Sequence, residues 1–270
     1  MRIKFGIRNT EQEVARSELV LAPIRQAFPG VSAELVTVDA ADPDQELAQA
    51  LLMGRVDFTI HAMELLPQDL TEDLPLVAYA RYASETYALV LAEQAKKLPA
   101  GKPIGCFTPL QQAQLRALYP QHESLLLTDP APVCLRLFHT GAIGGLVLDR
   151  TQIEALDLTA RVLRSFTPQE LIPPACSGIL AVRTRRGTDC NCLKPASDLE
   201  TAYCALAERA FLRSAAGDPA LTGAKAWIED DRLVLTGVTA GSGEPLRKGD
   251  IFGNPQQAAM LGEMLAAHLE

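Results

Sequence analysis

The order of strand-like and helix-like segments in the first sixty residues restricts the fold more than any other feature of the chain. The two kinds of segment alternate strictly, and in chain order they cover residues 2–7, 10–28, 33–38, 42–53 and 56–61. Thr10 and Glu13 form a capping-box pattern, and Asp42 followed by Pro43 is a typical helix start. Because a β-α-β-α-β order joins parallel strands through crossover helices, this region predicts a parallel sheet covered by helices.

A second unit of the same kind follows, and the last third of the chain changes character. Strands are predicted over residues 86–91, 103–106, 124–127 and 145–148, and helices over residues 109–118 and 132–139. A strand at residues 179–183 is expected to return to the first sheet. Beyond it, a helical pattern covers residues 199–213, a hairpin joins residues 224–229 to 232–239, and a final helix follows Asn254.

These segments predict an α/β fold of three domains, with two α/β lobes around a cleft and a small α+β C-terminal domain. A length of 270 residues suits two or three domains. The expected boundaries are residues 1–82 together with a return strand at about 175–195, then residues 83–174 and residues 196–270. In such lobes the carboxyl ends of strands and the amino ends of helices line the cleft, and helix amino ends favour anions.

Charge and composition exclude several classes of function. With 25 Lys and Arg against 33 Asp and Glu, the net charge of −8 argues against a basic nucleic-acid binder. No segment approaches the roughly 18–20 apolar residues that span a bilayer, and the first residues lack the apolar core of a signal peptide. We therefore expect a cytoplasmic protein with no membrane or nucleic-acid partner. The expected oligomeric state is a monomer.

The common catalytic and metal-binding motifs do not assign a reaction. Six cysteines are expected to be free thiols, as is usual in a cytosolic chain. Cys190-x-Cys192 lacks the second pair that a zinc site of this kind needs, so no metal is predicted. The chain also lacks the glycine-rich phosphate loop, the dinucleotide fingerprint and the nucleophile elbow.

Four segments, taken together and in order, resemble porphobilinogen deaminase, also called hydroxymethylbilane synthase. They are Gly6-Ile7-Arg8, the stretch from Glu46 to Pro67 that contains Asp57 and His61, Gly105 with Gln112-Ala113-Gln114-Leu115, and Ala207-Glu208-Arg209-Ala210-Phe211-Leu212-Arg213. The resemblance covers nearly the whole chain. It implies three domains, the first two similar to type II periplasmic binding proteins. It also implies a transferase that joins four porphobilinogens with loss of ammonia, on a dipyrromethane cofactor held by a cysteine of the third domain.

The match breaks at the positions that carry the family's chemistry. The family's lysine position holds Glu64, and the position of its catalytic aspartate holds Leu65, which cannot stabilise a developing cation. Asp218 stands at the position of the cofactor cysteine, and a carboxylate cannot form the thioether. Two arginines that grip substrate carboxylates are replaced by Leu110 and Gln111. The resemblance therefore implies neither a catalytic residue nor a dipyrromethane cofactor in this chain.

Other positions keep residues that match those near the substrate or cofactor in the family. The predicted ligand-binding residues are Arg8, Thr108, Gln112, Arg161, Ser177 and Gly178. Arg8 precedes a helix start, which makes it the expected contact for a carboxylate or phosphate group. The expected partner is a small carboxylated molecule, with a tetrapyrrole precursor as one candidate.

Three further residues in the family-like segments or at the family's functional positions each have two interpretations. His61 fits a buried structural histidine better than a functional one. Glu64 is either a general base or cation contact, or a solvated carboxylate on a turn. Asp218 is either an acid over the cleft or a turn residue, and the sequence Gly-Asp-Pro favours the turn.

We predict a degenerate, porphobilinogen-deaminase-like pseudoenzyme of tetrapyrrole metabolism that binds a carboxylated ligand in the cleft without polymerising it. A genuine hydroxymethylbilane synthase is the first alternative. A different enzyme on the same scaffold, using Glu64, Asp218 or Cys134, is the second. A scaffold or regulatory partner of another tetrapyrrole enzyme is the third, and it has no sequence signal of its own. Whether the chain is an enzyme stays open at this point.

Overall fold

The computed structural model describes residues 2–82, 86–92 and 95–270, and in this part of the chain three β-sheets carry the helices. In chain order the strands are β1 (Arg2–Arg8), β2 (Ser32–Val38), β3 (Phe58–Ala62), β4 (Leu76–Arg81), β5 (Tyr87–Leu91), β6 (Ile104–Cys106), β7 (Ser124–Leu126), β8 (Gly145–Asp149), β9 (Val162–Ser165), β10 (Ile179–Thr184), β11 (Gly223–Glu229), β12 (Arg232–Thr239) and β13 (Arg247–Gly253). The helices are α1 (Glu11–Ala27), α2 (Pro43–Leu52), α3 (Pro109–Leu118), α4 (Ala131–Cys134), α5 (Arg136–His139), α6 (Arg150–Ala155), α7 (Leu199–Ser214) and α8 (Ala258–His268). None of the helices within these ranges is long and apolar enough to cross a membrane.

The first lobe is a five-stranded sheet in the order β2-β1-β3-β10-β4. β1 pairs in parallel with β2 and β3, as the crossover helices α1 and α2 require. β10 returns to this sheet and runs antiparallel between β3 and β4. The rings of Phe5 and Phe58 stack at 5.3 Å between centroids, and they share one core with Leu21 and Ile24 of α1.

Local capping signals explain why the first two helices begin where the sequence predicts. The Thr10 hydroxyl accepts a hydrogen bond from the backbone N–H of Glu13 at 3.2 Å. The Asp42 carboxylate accepts one from the backbone N–H of Gln45 at 3.1 Å. Each bond satisfies one of the free N–H groups in the first turn. Both helices therefore start at a fixed place beside the carboxyl ends of the strands.

The second lobe repeats the arrangement in the order β7-β6-β8-β5-β9. β6 pairs in parallel with β7 and β8, and β5 runs antiparallel to β8 and β9. The helix predicted over residues 132–139 is instead divided into α4 and α5 at Leu135. The predicted domain boundary between residues 82 and 83 borders residues 83–85, which lie outside the described part of the chain, so the boundaries stay predictions.

A third, smaller unit consists of the antiparallel sheet β11-β12-β13 with α7 and α8 packed on it. Asp230 and Asp231 join β11 to β12 with φ angles of +47° and +60°, the backbone that a tight hairpin turn requires. Gly262 allows α8 to approach α7, since a Cβ atom there would lie 2.3 Å from the carbonyl oxygen of Ala207. The predicted fold class, two α/β lobes with a small α+β unit, is confirmed.

Candidate ligand-binding cleft

A first cluster of charged side chains lies at the carboxyl ends of β1 and β3, where α2 begins. Arg8 is the last residue of β1, and Asp44 lies in the first turn of α2. The Arg8 guanidinium makes a two-point ion pair with the Asp44 carboxylate, with Nε 3.3 Å from Oδ1 and Nη2 bonded to Oδ2. About a quarter of each side chain is exposed. A ligand carboxylate that approaches Arg8 therefore has to compete with Asp44.

His61 of β3 completes this cluster from its buried side. His61 Nδ1 lies 3.5 Å from Asp44 Oδ1, and Nε2 lies 2.8 Å from the hydroxyl oxygen of Thr59. Burial lowers the pKa of His61 although Asp44 acts in the opposite direction, so the imidazole is neutral at neutral pH. His61 and then Arg8 hold the pKa of Asp44 below its ordinary value. His61 is therefore a buried residue that positions Asp44.

A second cluster forms around Glu64. The Tyr82 hydroxyl donates a hydrogen bond to Glu64 Oε1 at 2.8 Å, and the Arg16 guanidinium lies 4.0 Å from the centre of the Tyr82 ring. Glu64 Oε2 is buried and has no hydrogen-bond partner among the described residues. Burial raises the pKa of Glu64. The interpretation of Glu64 as a solvated carboxylate is therefore wrong, because its carboxyl group is enclosed.

Charges of the two lobes meet across the space between α1 and the start of α6, which we call the cleft. Asp149 caps α6 in the second lobe, and burial raises its pKa. The backbone N–H groups of Gln152 and Thr151 oppose this shift, and so, more weakly, does the Arg16 guanidinium of the first lobe. Glu13, beside Arg16 on α1, also has a raised pKa because it is buried, although Arg8 and Arg16 oppose the shift. The cleft is thus a mixed environment in which arginines and partly buried carboxyl groups act on one another.

The two positions where the family resemblance implies arginines are occupied by side chains that pack inside the protein. Leu110 is buried against Ile172 and Val238, at the contact between the second lobe and the third unit. Gln111 is only 4% exposed, and its Oε1 accepts a hydrogen bond from the backbone N–H of Phe107 at 2.9 Å. Neither side chain is free to contact a ligand carboxylate.

The ligand-binding residues predicted in the second lobe make internal hydrogen bonds. Thr108 caps α3 through its hydroxyl oxygen, and Gln112 Nε2 donates to the carbonyl oxygen of Ser124 at 2.7 Å. Arg161 Nε donates to the carbonyl oxygen of Leu91 at 2.9 Å. The structure does not bring these three side chains into one cluster with Arg8, and their contact with a ligand stays a prediction.

Ser177 and Gly178, just before β10, belong to the framework behind the Glu64 cluster. The Ser177 hydroxyl donates to the carbonyl oxygen of Pro174 at 2.8 Å. The backbone carbonyl oxygen of Ser177 accepts from Lys225 Nζ at 3.1 Å. Gly178 has a φ of +81°, which favours glycine. Its carbonyl oxygen accepts from the backbone N–H of Tyr82 at 2.9 Å. Gly178 therefore helps to position the tyrosine that binds Glu64.

Asp218 caps the short 3₁₀ turn Pro219–Leu221, which precedes β11. Its Oδ1 accepts a hydrogen bond from the backbone N–H of Ala220 at 2.9 Å, and its own N–H donates to the carbonyl oxygen of Ala240 at 2.8 Å. Leu65 is 50% exposed in a short turn after β3, where it offers neither charge nor a hydrogen-bonding group. Residues 216–223, where the family resemblance places the cofactor cysteine, contain no thiol.

The four buried cysteines are poorly suited to replace the family's cofactor thiol. Cys134 and Cys176 are buried, and burial raises the pKa of both thiols, which disfavours the reactive thiolate. Burial also raises the pKa values of Cys106 and Cys204 to about 11. Among the described residues, no group of three or more His, Cys, Asp or Glu side chains could hold a metal ion.

Sequence reasoning missed the partners that define both clusters. Asp44 carries a signal, an acid in the first turn of a helix, but its contact with Arg8 joins residues 36 positions apart. Tyr82 and Glu64 are 18 positions apart. Glu208 lies inside one of the family-like segments, and it is fully buried. Its two carboxylate oxygens accept hydrogen bonds from the backbone N–H groups of Cys176 and Ala226, so it joins α7 to both neighbouring elements.

The fold and the site define a two-lobed α/β protein with a charged cleft between its lobes and a small α+β unit. The family described as "Porphobilinogen deaminase, dipyromethane cofactor binding domain" matches residues 44–192. The porphobilinogen deaminase of Alkaliphilus oremlandii is 30% identical, covering 100% of this chain and 97% of that protein. That of Roseiflexus castenholzii is 32% identical, covering 99% and 95%. The chain belongs to the porphobilinogen deaminase family.

The chain also has a more distant similarity to a solved binding-protein structure. A TRAP periplasmic solute binding protein from Ochrobactrum anthropi aligns with a TM-score of 0.46 and 16% identity, covering 77% of this chain and 77% of that one.

Proposed function

We propose that this protein acts in tetrapyrrole metabolism by binding a small carboxylated ligand in the cleft, without polymerising it on a dipyrromethane primer. The proposal rests chiefly on Asp218. The family resemblance assigns this position to the cofactor cysteine, whereas Asp218 caps a turn with its carboxylate. A carboxylate cannot carry the thioether, so this chain has no attachment point for a primer in that turn.

The catalytic positions of the first lobe support the same proposal. Leu65 stands at the position of the family's aspartate and can neither accept a hydrogen bond nor balance a positive charge. Removal of a single preorganised group of this kind typically lowers a rate by about 10²–10³. Glu64 lies beside it, but its Oε1 is already bonded to Tyr82 and its Oε2 is buried.

Arg8 supports retained binding. Its guanidinium is partly exposed in the cleft and is held in a two-point geometry by Asp44. An incoming carboxylate offers the same two oxygens, so it can replace Asp44 as the partner of Arg8. The Arg16 guanidinium lies over Tyr82 in the same cleft and adds a second positive charge.

Calorimetric titration with porphobilinogen, together with an assay for its consumption, tests the proposal. We expect saturable binding and no formation of hydroxymethylbilane. The change Arg8→Ala should weaken binding at least about tenfold, because it removes a charge-assisted hydrogen bond. The change Asp44→Asn should strengthen it, because Arg8 loses its competing partner. Arg25→Ala is the matched control, since Arg25 lies roughly 20 Å from the first residue of α1 and pairs with Glu18.

Two results would contradict the proposal. Hydroxymethylbilane production, seen as uroporphyrin after spontaneous cyclisation and oxidation, would show a working synthase. Equal affinity of the unaltered protein and Arg8→Ala would show that the ligand does not bind at Arg8 in the cleft.

A further inference from the structure

A cavity lies where the two lobes meet the third unit, apart from the charged clusters of the cleft. Its volume is about 560 Å³, which is within the range of small-molecule sites, roughly 300–1,000 Å³. Its wall includes Arg81 at the end of β4, Thr86 just before β5 and Thr167 just after β9, together with the first turns of α7 and strand β11. We call it the junction cavity. A ligand there would contact all three units of the protein.

One face of β11 gives the junction cavity an ordered charge pattern. Because side chains alternate along a strand, Lys225, Trp227 and Glu229 share one face of β11. They line the cavity together with Ala226 and Ile228 of the other face. Their exposure increases along the strand: Lys225 is 5% exposed, Trp227 is half-buried and Glu229 is exposed. A cation therefore lies at the closed end, an aromatic ring in the middle and a carboxylate at the mouth.

The two cations of the cavity have unused hydrogen-bonding capacity. Lys225 Nζ donates to the carbonyl oxygen of Ser177 at 3.1 Å, which leaves two of its three hydrogens for another acceptor. No carboxylate of the described residues lies within ion-pair distance of Lys225 or Arg81. The nearby charge of Glu208 is already bonded to two backbone N–H groups. A buried lysine in this setting is suited to hold an anionic group.

The mouth of the cavity carries the opposite charge. Asp198 and Glu200, at the start of α7, and Glu229, at the end of β11, line the cavity and are exposed. Asp198 accepts hydrogen bonds from both the backbone N–H and the hydroxyl of Thr201, so it caps the helix. Glu200 and Glu229 make no ion pair with another described residue and can accept a positive group at the rim.

We propose that the junction cavity is a second ligand site that binds an elongated zwitterion. The ligand's carboxylate lies against Lys225 and Arg81, its flat body lies beside Trp227, and its ammonium group lies among the carboxylates of the mouth. This site can be tested apart from the proposed function of the cleft, because none of its lining residues belongs to the Arg8 cluster, although Lys225 also bonds to Ser177 behind Glu64.

Tryptophan fluorescence tests the proposal directly, because Trp227 is the single tryptophan of the chain. The probes are para-(aminomethyl)benzoate, terephthalate and para-xylylenediamine, which share one ring and differ only in their charged ends. We expect a saturable change with the zwitterion and weaker binding of the dianion and the dication. Arg81→Gln should weaken zwitterion binding about ten- to a hundredfold. Glu229→Gln should weaken it up to about fivefold and leave terephthalate binding unchanged.

Arg81→Gln is preferred to a change of Lys225, whose loss next to buried Glu208 endangers folding. Arg55→Gln is the matched control, since Arg55 is an exposed arginine that pairs with Glu46. Three results would overturn the proposal: no fluorescence change with any probe at millimolar concentration, equal affinity for all three probes, or an unchanged affinity in Arg81→Gln. None of them bears on ligand binding at Arg8.

Discussion

At the scale of single residues, the cleft contains two carboxyl groups whose pKa values shift in opposite directions. Asp44 has a lowered pKa because His61 and Arg8 favour its ionised form. Glu64 has a raised pKa because burial disfavours its ionised form, and the opposing hydrogen bonds from its own backbone N–H and from Tyr82 do not offset this. Asp44 is thus ionised and holds Arg8, whereas Glu64 is the carboxyl group that is protonated more easily.

The lowered pKa of Asp44 predicts an acid-dependent contribution to stability. A depressed pKa in the folded state means that the contribution is present above the ordinary value of 3.8 and is lost as the pH falls through the folded pKa. Asp44→Asn should therefore lower the melting temperature at neutral pH, and the difference from the unaltered protein should shrink in acid. Calorimetric melts from neutral pH down to acid measure this, and a difference that stays constant would contradict the pairing with Arg8.

The sequence could predict some residues of the site but not others. Arg8 was predictable because it ends a strand just before a capped helix, and Asp218 because Gly-Asp-Pro is turn-forming. The burial of Glu64 was not predictable. It depends on Tyr82, whose backbone N–H is held by the carbonyl oxygen of Gly178, the residue just before β10. Contacts that cross from one strand to another leave no mark on local sequence patterns.

At the scale of secondary-structure elements, Glu208 connects α7 to the loop before β10 and to β11. Each of its carboxylate oxygens accepts one backbone N–H, from Cys176 and from Ala226. Glu208→Gln should lower the free energy of unfolding by about 2–4 kcal/mol, because the amide NH₂ would face an N–H donor. Chemical denaturation measures the loss. Glu200→Gln, exposed on the same helix, should change little, and an equal effect of both changes would contradict the account.

The elements that the sequence revealed differ physically from those it did not. β1, β3 and α3 were predictable because each combines a buried apolar pattern with a sharp helix or turn signal. β13 was missed because it is an edge strand of Arg247-Lys248-Gly249-Asp250-Ile251-Phe252-Gly253, with alternating exposure and two glycines. β4 and β9 are also edge strands; two of the six residues of β4 are buried, and none of the four residues of β9 is. Such strands are defined by the neighbour that pairs with them.

At the scale of the whole molecule, the family's architecture is kept while the positions that carry its chemistry hold other residues. Leu110 now packs the second lobe against the third unit, with Ile172 and Val238. Gly223, at the start of β11, lies so close to the second lobe that a Cβ atom there would be 2.4 Å from the carbonyl oxygen of Pro173. The space near residues 216–223 is thus used for contact between units. The cleft and the junction cavity are our two proposed binding sites.

The mass of the intact, denatured protein, measured before and after incubation with porphobilinogen, tests the central claim most directly. If Asp218 leaves the chain without a primer, both samples will have the mass of the bare polypeptide. An increase by whole pyrrole units in either sample would contradict the account. It would mean that another residue carries the chain of pyrroles and that the protein is a working hydroxymethylbilane synthase.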